Sequence, residues 1–224
     1  MIKLNLQLFG GRGASSSVTS SASGAGKPND ATEWYVSGEG MWINDYLRGR
    51  GGDFGELSDR EKQYLKDLDK ATSGKVKEKE LYRNVDASAI FGDMTNSEFD
   101  DMRAEIVYNG FSKDKGKYAQ GIAANINNKI EQTKGKVITD KGFVSTTKDE
   151  RIANDFDGFT GSEKPIILKI KTNSNTKGVD VSVYDKNVSK ADAQKEVLLG
   201  RNQKYKVDNI YGKNGHIYVD VSMQ

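Results

Sequence analysis

The sequence predicts an α+β domain behind a flexible tail. Three observations carry this: apolar residues at helical spacing gather in the first half, short β-prone runs fill the second, and residues 10–28 hold little that could be buried. Helices first, then many strands, is the signature of an α+β arrangement.

Taken in order, residues 10–28 (GGRGASSSVTSSASGAGKP) are nearly all Gly, Ser, Ala and Thr. Such a stretch cannot bury enough apolar surface to offset its conformational entropy and is expected to be a linker. Residues 1–9 would be a short amphipathic tag at its end. The tail is therefore assigned to residues 1–30 and the folded domain to 31–224. Trp42, Ile43, Tyr46 and Leu47 recur at helical spacing before a glycine-rich break at 49–52. Ser58-Asp59-Arg60-Glu61 forms a capping box, in which serine and glutamate satisfy each other's backbone N–H groups. Tyr64, Leu65 and Leu68 then supply the buried stripe of the helix it starts. Further helices are expected over 97–108 and 118–132. Strands are expected at 81–86 (LYRNVD), 136–147 (KVITDKGFVSTT), 166–172, 178–183, 196–199, 205–211 and 216–223. No internal repeat is present.

Composition narrows the chemistry. The chain has no cysteine and one histidine, His216, which sits in an alternating strand (HIYVDV) and reads as structural. Thiolate nucleophiles are excluded, and no metal site is expected. Carboxylates, amides, hydroxyls and arginine must carry any reaction. A net charge of +2 gives no electrostatic case for bulk nucleic-acid binding, and Lys113, Lys115 and Lys117 read as a solvated charge run. No stretch approaches the roughly 18–20 apolar residues that cross a bilayer. The N-terminal apolar run is too short for a signal-peptide core, so a soluble protein outside the general secretory route is expected.

Three segments stand out, in the order arginine, serine, glutamate. Leu81-Tyr82-Arg83-Asn84-Val85-Asp86 is a brief strand around an arginine. Gly142-Phe143-Val144-Ser145-Thr146-Thr147 is a strand ending in hydroxyls. In Gln194-Lys195-Glu196-Val197-Leu198-Leu199, Gln194 and Glu196 lie two apart, and strand periodicity would put both on one face. Singly, each has a plain explanation: a solvated charge, a β-prone run, an edge-strand solubility device. The ordered combination does not.

That combination, with Ile43-Asn44-Asp45-Tyr46-Leu47-Arg48-Gly49 before it and Lys204-Tyr205-Lys206-Val207 after it, resembles the bacterial ADP-ribosylating exoenzymes of the arginine–serine–glutamate class. Within that class it is most similar to the clostridial exoenzymes that modify Rho GTPases, over roughly residues 34–223. The resemblance implies two packed, mainly antiparallel sheets with flanking helices and an NAD cleft between them. It implies a mono-ADP-ribosyltransferase that consumes NAD as substrate, needs no metal and acts as a monomer. Arg83 would hold the pyrophosphate through its planar fork, with Asn44 and Arg48 as further NAD contacts. Ser145 would brace the glutamate and the nicotinamide ribose, beside Thr146 and Thr147. Glu196 would face the oxocarbenium-like cation that forms as nicotinamide leaves. Gln194 stands where arginine-modifying relatives carry a carboxylate, which implies a neutral acceptor: an Asn or Gln side chain of a host protein, or a guanine in nucleic acid.

The chain also departs from the family pattern. Ala191 replaces the aromatic residue expected three positions before Gln194, with Tyr184 the nearest aromatic upstream, so Rho is not inherited as the target. Lys164 stands before Pro165 where arginine is expected, and Phe156 or Phe159 is the ring that would pack on nicotinamide. The opening LNLQLFGGRGA resembles the first residues of head-morphogenesis proteins of phages of Gram-positive bacteria. This implies action in an infected bacterium, a place in the virion, or release as a toxin. Two other readings stand beside the transferase: an NAD glycohydrolase, and a phage head-associated binding protein that has kept the fold.

Overall fold

The computed structural model describes residues 25–38, 42–49, 56–155, 163–187 and 194–224. Within these, three helices begin on capping boxes. Asn29 starts α1 (Asp30–Val36), Ser58 starts α3 (Asp59–Ala71) and Thr95 starts α5 (Asn96–Tyr108). In α3 the two residues expected to pair do so: Glu61 N–H donates to Ser58 Oγ at 3.3 Å, and Ser58 N–H to Glu61 Oε2 at 2.7 Å. The apolar repeat after Gly40 forms α2 (Trp42–Arg48). The run from Tyr118 belongs to α6 (Lys117–Thr133). Two short helices, α4 (Ser88–Phe91) and α7 (Glu150–Asp155), give no periodic signal at their length. The predicted linker and N-terminal tag lie largely outside the described residues. At the near end of that tail, Gly26 N–H donates to Ala71 O at 2.8 Å.

The strands are β1 (Glu80–Asp86), β2 (Val137–Asp140), β3 (Val144–Thr147), β4 (Pro165–Lys171), β5 (Gly178–Asp180), β6 (Glu196–Leu199), β7 (Gln203–Lys213) and β8 (His216–Met223). They join in the order β2-β7-β8-β4-β1-β3-β6-β5, antiparallel except for β4 and β8. The expected single strand over 136–147 is two strands far apart in this order. Asp140 ends the first by turning its carboxylate back onto the N–H of Gly142 at 3.0 Å, a local bond that competes with strand pairing.

One registered pair, Tyr82 with Thr147, joins β1 to β3, whereas β1 and β4 pair over seven positions. The sheet is thus two limbs, β2-β7-β8-β4-β1 and β3-β6-β5, and these are the two mainly antiparallel sheets expected. The larger core gathers Leu81, Val85, Leu168 and Val219 from one limb with Val144, Val197 and Leu199 from the other, against α4, α5 and α6. A second core packs Phe143, Val179, Val181 and Leu198 against Tyr35, Ile43 and Leu68 of the first three helices. Helix α7 covers Ile167 and Tyr218 through Ala153.

Candidate active site

Strand register builds the site. Thr147 lies opposite Glu196 and Ser145 opposite Leu198, so period-two alternation puts Ser145, Thr147 and Glu196 on one face. That is the face of the second core, beside Phe143 and Leu198. The threonines stitch the strands together: Thr146 Oγ1 donates to Val197 O at 2.6 Å and Thr147 Oγ1 to Gln194 O at 2.8 Å. Glu196 is fully buried and Ser145 is 8% exposed.

Tyr35 of α1 stands where these groups meet. Its hydroxyl is hydrogen-bonded to Ser145 and receives the Asn44 amide N–H. Burial pushes its acidity well down, and neighbouring Arg48 and Arg83 oppose this only in part, so the group is a neutral hydroxyl. Asn44 holds the residue that enters β3 from both sides, accepting from Phe143 N–H at 2.8 Å and donating to Phe143 O at 3.2 Å. Gly142 is needed here. A Cβ on it would sit 2.6 Å from Asn44 Oδ1 and 2.8 Å from Arg48 Cζ.

The two arginines differ. Arg48 is locked in a bidentate pair with Asp140, Nε to Oδ1 at 2.9 Å and Nη2 to Oδ2 at 3.1 Å, and its Nη2 also reaches Phe143 O at 3.3 Å. Burial alone would lower its pKa, but Asp140 outweighs that and the net shift is upward. Arg83 is 2% exposed on the same face of β1 as Leu81 and Val85. Its Nε and Nη1 have no hydrogen-bond partner among the described residues, and neither does the buried hydroxyl of Tyr205. Burial pulls the Arg83 pKa down, with Asp140 acting against it. Arg83, Asp140 and Tyr205 line a cavity of about 20 Å³, room for about one water.

Ser145, Asn44, Arg48, Arg83 and Glu196 are thus all neighbours of Tyr35, Arg83 reaching it from the opposite strand face, while Thr147 ties the start of β6 to β3. Gln194 does not share a strand face with Glu196 as expected. β6 begins at Glu196, and Lys195 between them has φ of 49°, a left-handed residue that breaks the period-two alternation. Lys164 lies at the other end of β1. Its carbonyl accepts from Ala87 N–H at 2.7 Å and its ammonium reaches Asn96 Oδ1 at 3.4 Å. Tyr184 turns its hydroxyl to α1, bonding Asn29 O at 3.0 Å and Thr32 Oγ1 at 2.9 Å. Phe156, Phe159 and Ala191 lie outside the described residues. Tyr35, Asp140 and Tyr205 were missed as site residues. Tyr35 sits on a helix the sequence did not mark, and Asp140 was hidden in the expected long strand. Among the described residues no three acidic or histidine side chains group as a metal site, and no helix is long and apolar enough to cross a membrane.

Comparison with known proteins supplies the context. The sequence model of the family described as ADP-ribosyltransferase exoenzyme matches residues 21–222. Curated protein sequences give no match. Among solved structures, the C3larvin toxin of Paenibacillus larvae, an ADP-ribosyltransferase, is 23% identical with a TM-score of 0.55, over 87% of this chain and 85% of its own. The C3 exoenzyme of Clostridium limosum is 20% identical with a TM-score of 0.54, over 87% and 83%. An ADP-ribosyltransferase of Clostridium botulinum is 22% identical with a TM-score of 0.52, over 86% and 84%.

Proposed function

The chain belongs to the ADP-ribosyltransferase exoenzyme family and uses NAD as its substrate, and from that premise we propose that it transfers a single ADP-ribose to a neutral side-chain amide of a host protein. The observation that carries the site assignment is Arg83. A buried guanidinium with two nitrogens unpartnered among the described residues is costly unless an anion meets it, and a pyrophosphate offers paired oxygens at the spacing of its fork. Arg48, neutralised by Asp140, shapes the neighbouring wall, and Asn44 fixes the Phe143 backbone that carries Ser145 into place.

Ser145 and the neutral Tyr35 hydroxyl orient the ribose side of the substrate. Glu196, on the same face, presents a fully buried carboxylate. Positive charge grows on the ribose as the bond to nicotinamide lengthens, and a fixed carboxylate there stabilises the transition state more than the ground state. Gln194 has no charge with which to activate a guanidinium and instead suits an amide, or the edge of guanine.

Wild type and Glu196→Gln, each with labelled NAD and a bacterial lysate separated into protein and nucleic acid, provide the test. Wild type should release nicotinamide and label protein, and the near-isosteric variant should lose both by on the order of a hundredfold or more. Label in the nucleic-acid fraction would move the acceptor to guanine, and release without label would make the enzyme a glycohydrolase. The absence of both release and label would refute the proposal.

A further inference from the structure

Resting on that reading, we infer that Lys195 is a positioning residue: its left-handed backbone, clamped to the end of β3, sets where Gln194 points and so divides ADP-ribose between acceptor and water. The two reactions share one cleavage. The C1′–N bond to nicotinamide breaks and its electron pair leaves with neutral nicotinamide. The new bond to C1′ comes from an acceptor nitrogen or from a water oxygen, and either nucleophile gives one proton to solvent. Cleavage needs Glu196, and the choice of nucleophile needs Gln194.

These two residues are anchored differently. Glu196 is the first residue of β6, registered against Thr147, with its carbonyl accepting from Val181 N–H at 3.0 Å. Strand pairing on both sides fixes it. Gln194 lies before the strand, and its direction follows from the conformation of the residue after it. Lys195 has φ of 49°, a region that residues with a Cβ occupy at a cost and keep only where the surroundings over-determine it.

The surroundings do so here. Lys195 O accepts from Lys148 N–H at 3.1 Å, and Lys195 Nζ donates to Asp149 Oδ2 at 2.7 Å. Asp149 N–H donates to Thr147 Oγ1 at 3.1 Å, the hydroxyl that holds Gln194 O. Arg151 steadies the carboxylate through its N–H at 3.0 Å and its guanidinium at 3.2 Å. The hydrogen bond from Lys195 is the main cause that holds the Asp149 pKa down at about 2, so the clamp is charged at any working pH. An isolated ion pair as exposed as this one adds little to stability. Its effect is conformational, because the ring it closes contains the left-handed residue.

Four variants test this by two ratios. Lys195→Val removes the clamp and resists positive φ, Lys195→Gly removes the clamp but favours positive φ, Asp149→Asn weakens the clamp from the other side, and Lys195→Arg keeps it. Transfer to the lysate fraction that wild type labels should fall on the order of tenfold in Lys195→Val. It should fall less in Asp149→Asn and Lys195→Gly, and little in Lys195→Arg. Nicotinamide release without acceptor should stay within about twofold of wild type in all four, because Glu196 keeps its pairing. Parallel loss of transfer and release, or an unchanged ratio in Lys195→Val, overturns the inference. If wild type releases no nicotinamide, the proposed function fails and the melting temperatures decide the clamp: Lys195→Val should melt a few degrees below Lys195→Gly, and equal melting overturns it.

Discussion

Asp140 and Arg83 show how much a single side chain decides in this fold. Asp140 does two things at once: it ends β2 by capping Gly142 N–H and neutralises Arg48 at side-chain exposures of 5% and 4%. Removing the carboxylate leaves a buried cation facing Arg83. Asp140→Asn should therefore cost about 3–5 kcal/mol in denaturant unfolding, and the double variant with Arg48→Met should be the more stable of the two. If the single variant loses less than the double, the pair is not what holds this corner together. At this scale the sequence points to Arg83, Ser145 and Glu196 through their order along the chain, and the structure buries all three. It was silent on Tyr35 and marked Tyr205 only as part of a motif, because the surroundings of both come from distant segments brought together by packing. It misread Gln194, because a left-handed residue such as Lys195 leaves no periodic trace.

Elements were legible in proportion to their length and their local signals. The box at Ser58 and Glu61 announced α3, and the alternation of HIYVDV announced β8. Helix α1, seven residues long, carried too few buried positions to repeat, yet it delivers Tyr35 to the site. It is held at its start: Asn29 accepts from Thr32 N–H at 3.0 Å and donates to Asp67 O of α3 at 3.1 Å, while Tyr184 closes over the cap. Asn29→Ala should lower stability by about 1–2 kcal/mol, measured by thermal unfolding, with Asn29→Asp recovering the cap but not the tie to α3. A larger loss of nicotinamide release than of stability would show that α1 serves the site beyond its packing. The long strand expected at 136–147 failed for a related reason: Asp140-Lys141-Gly142 inside KVITDKGFVSTT is a turn signal too short to stand out between two β-prone runs, and the Asp140 turn divides the segment there.

For the whole molecule, composition and element order led to α+β, and the family's two sheets appear as limbs joined at Tyr82 and Thr147. The strand order itself could not be read, since β8 is made after the other seven strands and yet pairs with β4 on one side and β7 on the other. A chain ending at Lys213 should show no cooperative unfolding and no nicotinamide release, and a peptide of residues 214–224 added in trans should restore some of each. If the shortened chain releases nicotinamide unaided, β8 is dispensable.

The middle position of β8 has a bearing on synthesis. A ribosome making this chain threads out Arg83, then Ser145, then Glu196, and at that moment the growing polypeptide owns every group needed to destroy NAD. It still lacks β7 and β8, the second of which pairs with β4 on one side and β7 on the other. Sheets closed by distant partners form slowly, and translation supplies roughly 5–20 residues per second, so nicotinamide release should appear only once β8 has paired with β4 and β7.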